Sequence, residues 1–109
     1  ASFDLILLGM GDDGHTASLF PNTKALKETT RLVVENEVPQ KETLRMTFTY
    51  PLISKAKHIL FMVIGDGKDD MVKKVFEDKE GKYPSGKVTS ESGKALWLLD
   101  EKSSSSISK

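Results

Sequence analysis

Apolar residues gather in a few runs, and the period between them changes along the chain. Residues 3–8 and 58–64 are nearly unbroken apolar stretches that end at Gly9 and Gly65, the pattern of central strands buried on both faces of a parallel sheet. Residues 95–99 read as a third buried strand. The stretches 31–38 and 44–49 are shorter and more polar, as in edge strands or extended connections. Helices are predicted over 16–20, stopped by Pro21; over 51–57, behind a cap at Thr49; and over 68–78, where Met71, Val72, Val75 and Phe76 share one face. A turn-rich connection covers 83–93, and Asp100 is placed to cap the segment after it. Strands alternating with helices predict an α/β fold, a parallel sheet with flanking helices. The boundaries are 1–102 for the folded part and 103–109 for a flexible Ser-rich tail.

Three central parallel strands with few crossover helices leave sheet edges and faces uncovered, and the first strand opens at residue 3. The pattern predicts one part of a larger α/β domain. Composition narrows the partners. The 109 residues suffice for one domain, and sixteen Lys and Arg balance sixteen Asp and Glu, so no overall field draws the chain to nucleic acid or an acidic membrane. Any anion site must be local. The chain has no cysteine, hence no disulfide framework or thiolate metal site, which suits a reducing compartment. No apolar run approaches the roughly 20 residues of a membrane span, and the opening stretch lacks the basic flank of a signal peptide. A cytoplasmic protein is expected.

Candidate chemistry lies where the first strand empties into Gly9-Met10-Gly11-Asp12-Asp13-Gly14-His15. In an open parallel sheet the ligand crevice lies beyond the carboxyl ends of the strands, and glycines there admit an anion to backbone N–H groups. Gly9, Gly11 and Gly14 also satisfy the dinucleotide fingerprint, with Glu35 about 20 residues on. Asp12 and Asp13 would repel the phosphates, and Pro21 ends the following helix too soon, which argues against a nicotinamide or flavin cofactor. At a helix start the dipole disfavours imidazolium, so His15 could accept a proton near pH 7, with Asp13 orienting the ring. Helix capping by Asp12 or Asp13, and a purely structural His15, are the plainer alternatives. No metal is expected, because His15 beside two adjacent carboxylates does not close a tetrahedral site and His58 begins a strand elsewhere. Lys68, after Gly65-Asp66-Gly67, and Arg45 would each ordinarily be solvated charges. Together they make a phosphate site plausible.

The segment from Phe3 through Gly9-Met10-Gly11-Asp12-Asp13-Gly14-His15-Thr16-Ala17-Ser18-Leu19-Phe20-Pro21 resembles the signature of the glucosamine-6-phosphate isomerase/6-phosphogluconolactonase family. Arg45-Met46-Thr47-Phe48-Thr49, Gly65-Asp66-Gly67-Lys68 and Ala95-Leu96-Trp97-Leu98-Leu99-Asp100 resemble later blocks of that family, in order. The similarity corresponds to its carboxyl-terminal half. It implies a Rossmann-like α/β domain that hydrolyses 6-phosphoglucono-δ-lactone to 6-phosphogluconate in the pentose phosphate pathway, without metal or cofactor. By position, His15 would be the catalytic base or acid, read here as the base that activates water, Asp13 and the loop of Gly9, Gly11 and Gly14 would line the sugar site, and Arg45 with Lys68 would hold the phosphate. Related deaminases carry Phe-Asn-Glu-Pro where this chain has Ser18-Leu19-Phe20-Pro21, which favours lactone hydrolysis over amino-sugar isomerisation. Family members are much longer, and their amino-terminal half adds a phosphate-contacting loop and an acidic residue. The expected partner is therefore that half, in the same chain or another. The alternative function is a non-catalytic sugar-phosphate-binding module or an inactive fragment.

Overall fold

The computed structural model describes residues 2–65, 67–91 and 93–107. The first strand, β1 (Leu5–Leu8), leads through a long loop to an antiparallel hairpin of β2 (Val33–Val38) and β3 (Thr43–Phe48). The short helix α1 (Tyr50–Ser54) comes next, then β4 (His58–Val63), α2 (Asp69–Glu77), a small antiparallel pair of β5 (Thr89–Ser90) and β6 (Gly93–Lys94), and β7 (Leu96–Leu99). The predicted edge strands are thus a hairpin of their own. The main sheet is parallel, in the order β1, β4, β7, with Leu5 opposite His58 and Leu60 opposite Leu96. β4 is central as expected, whereas β1 lies at an edge of the described sheet.

Pleating separates two sets of side chains on these strands. Ile6, Leu8, Ile59, Phe61 and Val63 face a core completed by Leu19, Val34, Ile53, Ala56, Val72 and Val75. The other set, Leu5, Leu7, Met62, Leu96 and Leu98, is 45% to 69% exposed. Burial on both faces, predicted from the unbroken apolar runs, is therefore corrected to burial on one, because both helices contribute to the same core.

The helices at 51–57 and 68–78 form close to where the sequence places them. Thr49 accepts from the Leu52 N–H and starts α1, and Pro51 occupies a first-turn position where its missing N–H costs nothing. In α2, Met71, Val72 and Val75 are buried, but Phe76 is 46% exposed and meets Trp97 edge-on at 5.1 Å. No helix forms over 16–20. Thr16 donates to the Gly9 carbonyl at 2.8 Å, the Ser18 N–H goes to Thr47 Oγ1 at 3.0 Å, and Ala17 takes a left-handed φ of 52°. Side chain to backbone bonds here replace the helical ladder.

The expected Ser-rich tail is, over its described part, a packed turn. Asp100 caps it as predicted: the Ser103 N–H donates to its carboxylate at 2.8 Å, and the Ser103 hydroxyl donates to the Val63 carbonyl at 2.7 Å. Ser103 and Ser104 are buried, and Ser106 donates to Asp69 at the start of α2. Residues 108 and 109 lie outside the described residues.

Candidate active site

All three parallel strands deliver their carboxyl ends to one rim: β1 leads into the loop from Gly9, β4 into Gly65, and β7 into Asp100. The rim is cross-linked. The Gly65 N–H donates to the Asp100 carboxylate at 3.0 Å, and Lys68 Nζ donates to the Met10 carbonyl at 2.7 Å. Lys68 thereby ties the loop after β4 to the loop after β1, and its remaining N–H donors stay available. Asp66 of the predicted block lies outside the described residues.

His15 sits in the middle of the first loop. One carboxylate oxygen of Asp13 accepts from both the His15 backbone N–H, at 3.1 Å, and its ring Nδ1, at 2.5 Å. No helix follows for Asp13 to cap, so the capping alternative fails; its carboxylate instead holds the His15 backbone N–H and the ring together. Partial burial of Asp13 works against its ionisation, but the hydrogen bonds from His15 outweigh it and hold the carboxyl below its ordinary range. An ionised Asp13 only accepts, so the neutral ring carries its proton on Nδ1 and leaves the Nε2 lone pair free. The helix dipole invoked for His15 plays no part, since no helix starts there.

The ring is also confined sterically. It stacks on Phe20, with centroids 4.0 Å apart and planes 19° from parallel. Against Gly11 it is so close that a Cβ there would lie 2.0 Å from its Cε1 atom. Gly14 has a different role: at φ +83° it is buried under Tyr83, and its carbonyl accepts from the Ser85 N–H. A Cβ on Gly9 would meet nothing within 4 Å. Gly9, Met10, Gly11, His15, Thr16 and Ala17 line a cavity of about 310 Å³ beside the ring.

Arg45 projects from β3, and its guanidinium carbon lies 5.5 Å from the Phe20 ring centroid. The structure thus joins His15, Asp13, Gly11, Phe20 and Arg45 in one cluster, with Lys68 attached through Met10. Among the described residues, neither Arg45 nor Lys68 pairs with a carboxylate. Asp12 is exposed. Among the same residues no group of three or more His, Asp and Glu side chains is placed to hold a metal ion, and no helix is long and apolar enough to cross a membrane.

Sequence reasoning missed Phe20 as the platform and Asn36 as the anchor of the loop. The Asn36 side chain donates to the Ser18 carbonyl at 2.8 Å and to Thr23 Oγ1 at 2.9 Å, and accepts from the Ala25 N–H at 3.1 Å. Its signal was available: between Val34 and Val38 it is the polar member of an inward-facing series of period two.

A Rossmann-like α/β sheet whose strand ends carry a histidine–carboxylate pair defines the class. The family model described as glucosamine-6-phosphate isomerases/6-phosphogluconolactonase matches residues 1–97, and the chain belongs to that family. A 6-phosphogluconolactonase of Chlamydia pneumoniae is 47% identical over 106 residues, covering 94% of this chain and 41% of its own. The crystal structure of devB protein is 37% identical with a TM-score of 0.87, covering 98% of this chain and 45% of its own. A 6-phosphogluconolactonase from Trypanosoma brucei is 29% identical with a TM-score of 0.75, covering 98% of this chain and 43% of its own. The chain therefore spans about two-fifths of the length of the curated relative it matches.

Proposed function

We propose that the chain carries the base and phosphate-binding cations of a cytoplasmic 6-phosphogluconolactonase, which hydrolyses 6-phosphoglucono-δ-lactone to 6-phosphogluconate. The observation that carries this reading is the 2.5 Å bond between Asp13 and His15 Nδ1, which leaves Nε2 as the proton acceptor of the neutral ring. Water adds through its oxygen to the lactone carbonyl carbon while His15 Nε2 takes one of its protons. The tetrahedral intermediate collapses with cleavage of the bond from carbonyl carbon to ring oxygen. That oxygen leaves as the sugar hydroxyl, with the proton returned by His15. Asp13 keeps the imidazole oriented and stabilises the imidazolium between these transfers. Arg45 with Lys68 holds the phosphate. The names of the relatives and the match along residues 1–97 support this assignment.

The uncovered sheet face of Leu5, Leu7, Met62, Leu96 and Leu98 is, in this reading, the surface on which the remaining part of the family domain packs. The test is to titrate the protein with 6-phosphogluconate and gluconate and to follow lactone hydrolysis on the same sample. Preferential binding of the phosphorylated acid together with catalysed hydrolysis is expected. Equal binding of both acids without hydrolysis would refute it.

A further inference from the structure

Phe20 touches both groups that the proposed reaction needs and belongs to neither. Its side chain is 1% exposed. One contact is the parallel stack with His15 at 4.0 Å, and the other is the Arg45 guanidinium at 5.5 Å from its centroid. Stacking of this kind fixes a plane, and a cation over an aromatic face is drawn to the ring quadrupole.

The platform is itself held on both sides in sequence. The Leu19 N–H donates to the Thr16 carbonyl at 2.9 Å, Asn36 donates to the Ser18 carbonyl, and the Thr23 hydroxyl donates to the Phe20 carbonyl at 2.6 Å. Leu19 is wholly buried, and Pro21 fixes the next φ. These bonds fix the backbone that carries the ring on both sides of Phe20.

We propose that Phe20 is a positioning residue that sets the plane of the His15 imidazole and the seat of the Arg45 guanidinium, and so fixes the spacing between proton acceptor and phosphate cation. The inference rests on the lactonase reading for its kinetic consequence but not for its geometry. The imidazole needs this second restraint because Asp13 grips the ring only at Nδ1, leaving rotation about that bond to be stopped by Phe20 and Gly11. Arg45, exposed on β3, has no carboxylate partner among the described residues to do the same for it.

The test uses the natural full-length protein with Phe20→Leu and Phe20→Met, which keep an apolar filler and remove the π face, and Phe20→Tyr, which keeps the ring. Circular dichroism normalises each rate to folded protein. In the leucine and methionine variants kcat is expected to fall about 10-fold, as the base loses alignment. KM for the lactone should rise about 3-fold, as expected for one weakened cation–π contact. Phe20→Tyr should restore both. Independently of activity, the His15 Hε1 resonance should lose its upfield ring-current shift in the leucine and methionine variants and keep it in Phe20→Tyr. An unmoved Hε1 resonance in folded Phe20→Leu would overturn the proposal, as would wild-type kcat and KM in the same variant. Absence of lactone hydrolysis by the wild type, with the Hε1 shift behaving as expected, would refute the lactonase reading and leave the positioning geometry standing.

Discussion

Gly11→Ala separates the position of the base from the stability of the fold. A Cβ on Gly11 would lie 2.0 Å from His15 Cε1 and 2.2 Å from Nδ1, far inside van der Waals contact. Gly11 is not among the glycines with positive φ, so alanine does not strain the backbone, and the nearest atoms it meets are those of the imidazole. The ring is the free end of a side chain and is 24% exposed, so it can swing away. Moving it breaks the 2.5 Å bond to Asp13 and the stack on Phe20. Because both partners are partly solvated, the stability lost should be only about 1 kcal/mol, below the usual value of a charged hydrogen bond. The loss in turnover should be larger, about 10²-fold, because a base displaced by about 1 Å no longer lies in line with its proton. Steady-state lactone hydrolysis by the full-length protein, alongside thermal unfolding, measures both. Gly9→Ala is the control for stability and should unfold near wild type, since its Cβ would meet nothing within 4 Å. Wild-type turnover in folded Gly11→Ala would refute the reasoning, as would a turnover loss no greater than the loss of folded protein.

Asp13→Asn, which nearly preserves shape and removes the charge, should lower kcat by roughly 10²-fold with little change in product binding, as fluorescence or calorimetric titration can show. Burial opposes ionisation of Asp13 but its bonds from His15 prevail, so its folded pKa lies below the ordinary 3.8. Its stabilising contribution is therefore present above 3.8 and lost as pH falls through the lower folded value. Acid unfolding of the wild type should accordingly show a proton-linked step below that pH which Asp13→Asn lacks. Arg45→Ala or Lys68→Ala should weaken 6-phosphogluconate binding by about 1.5 to 3 kcal/mol each while sparing gluconate; equal losses for both ligands would remove the phosphate assignment. Asn36→Ala strips partners from the Ser18 carbonyl, the Thr23 hydroxyl and the Ala25 N–H. It should cost about 2 to 4 kcal/mol in chemical denaturation, and a loss within about 0.5 kcal/mol would contradict the anchoring role.

The parallel strands and α2 were legible because their patterns are local: apolar runs, two of them closed by glycine, and Met71, Val72 and Val75 at helical spacing. Thr49 and Asp100 announced their caps through residue type and place alone. Burial on both faces of the sheet was misread, because an unbroken run of apolar residues shows what each face tolerates and not what lies over it. The helix expected at 16–20 failed for a non-local reason. Thr47 and Asn36, far along the chain, take the backbone groups of Ser18 that a helix would have used. The cluster of glycines, Asp13 and His15 stood out in sequence, but the role of Phe20 did not, since one buried aromatic resembles any other until its neighbours are known.

Removing the imidazole tests the central claim most directly. Hydrolysis of 6-phosphoglucono-δ-lactone should be followed for the full-length wild type and for His15→Ala, each above the spontaneous rate, with folding verified for both. A 10²- to 10⁴-fold fall in kcat, the scale of general base catalysis, with 6-phosphogluconate affinity nearly unchanged is the predicted result. A folded His15→Ala protein that turns over the lactone at the wild-type rate would contradict it.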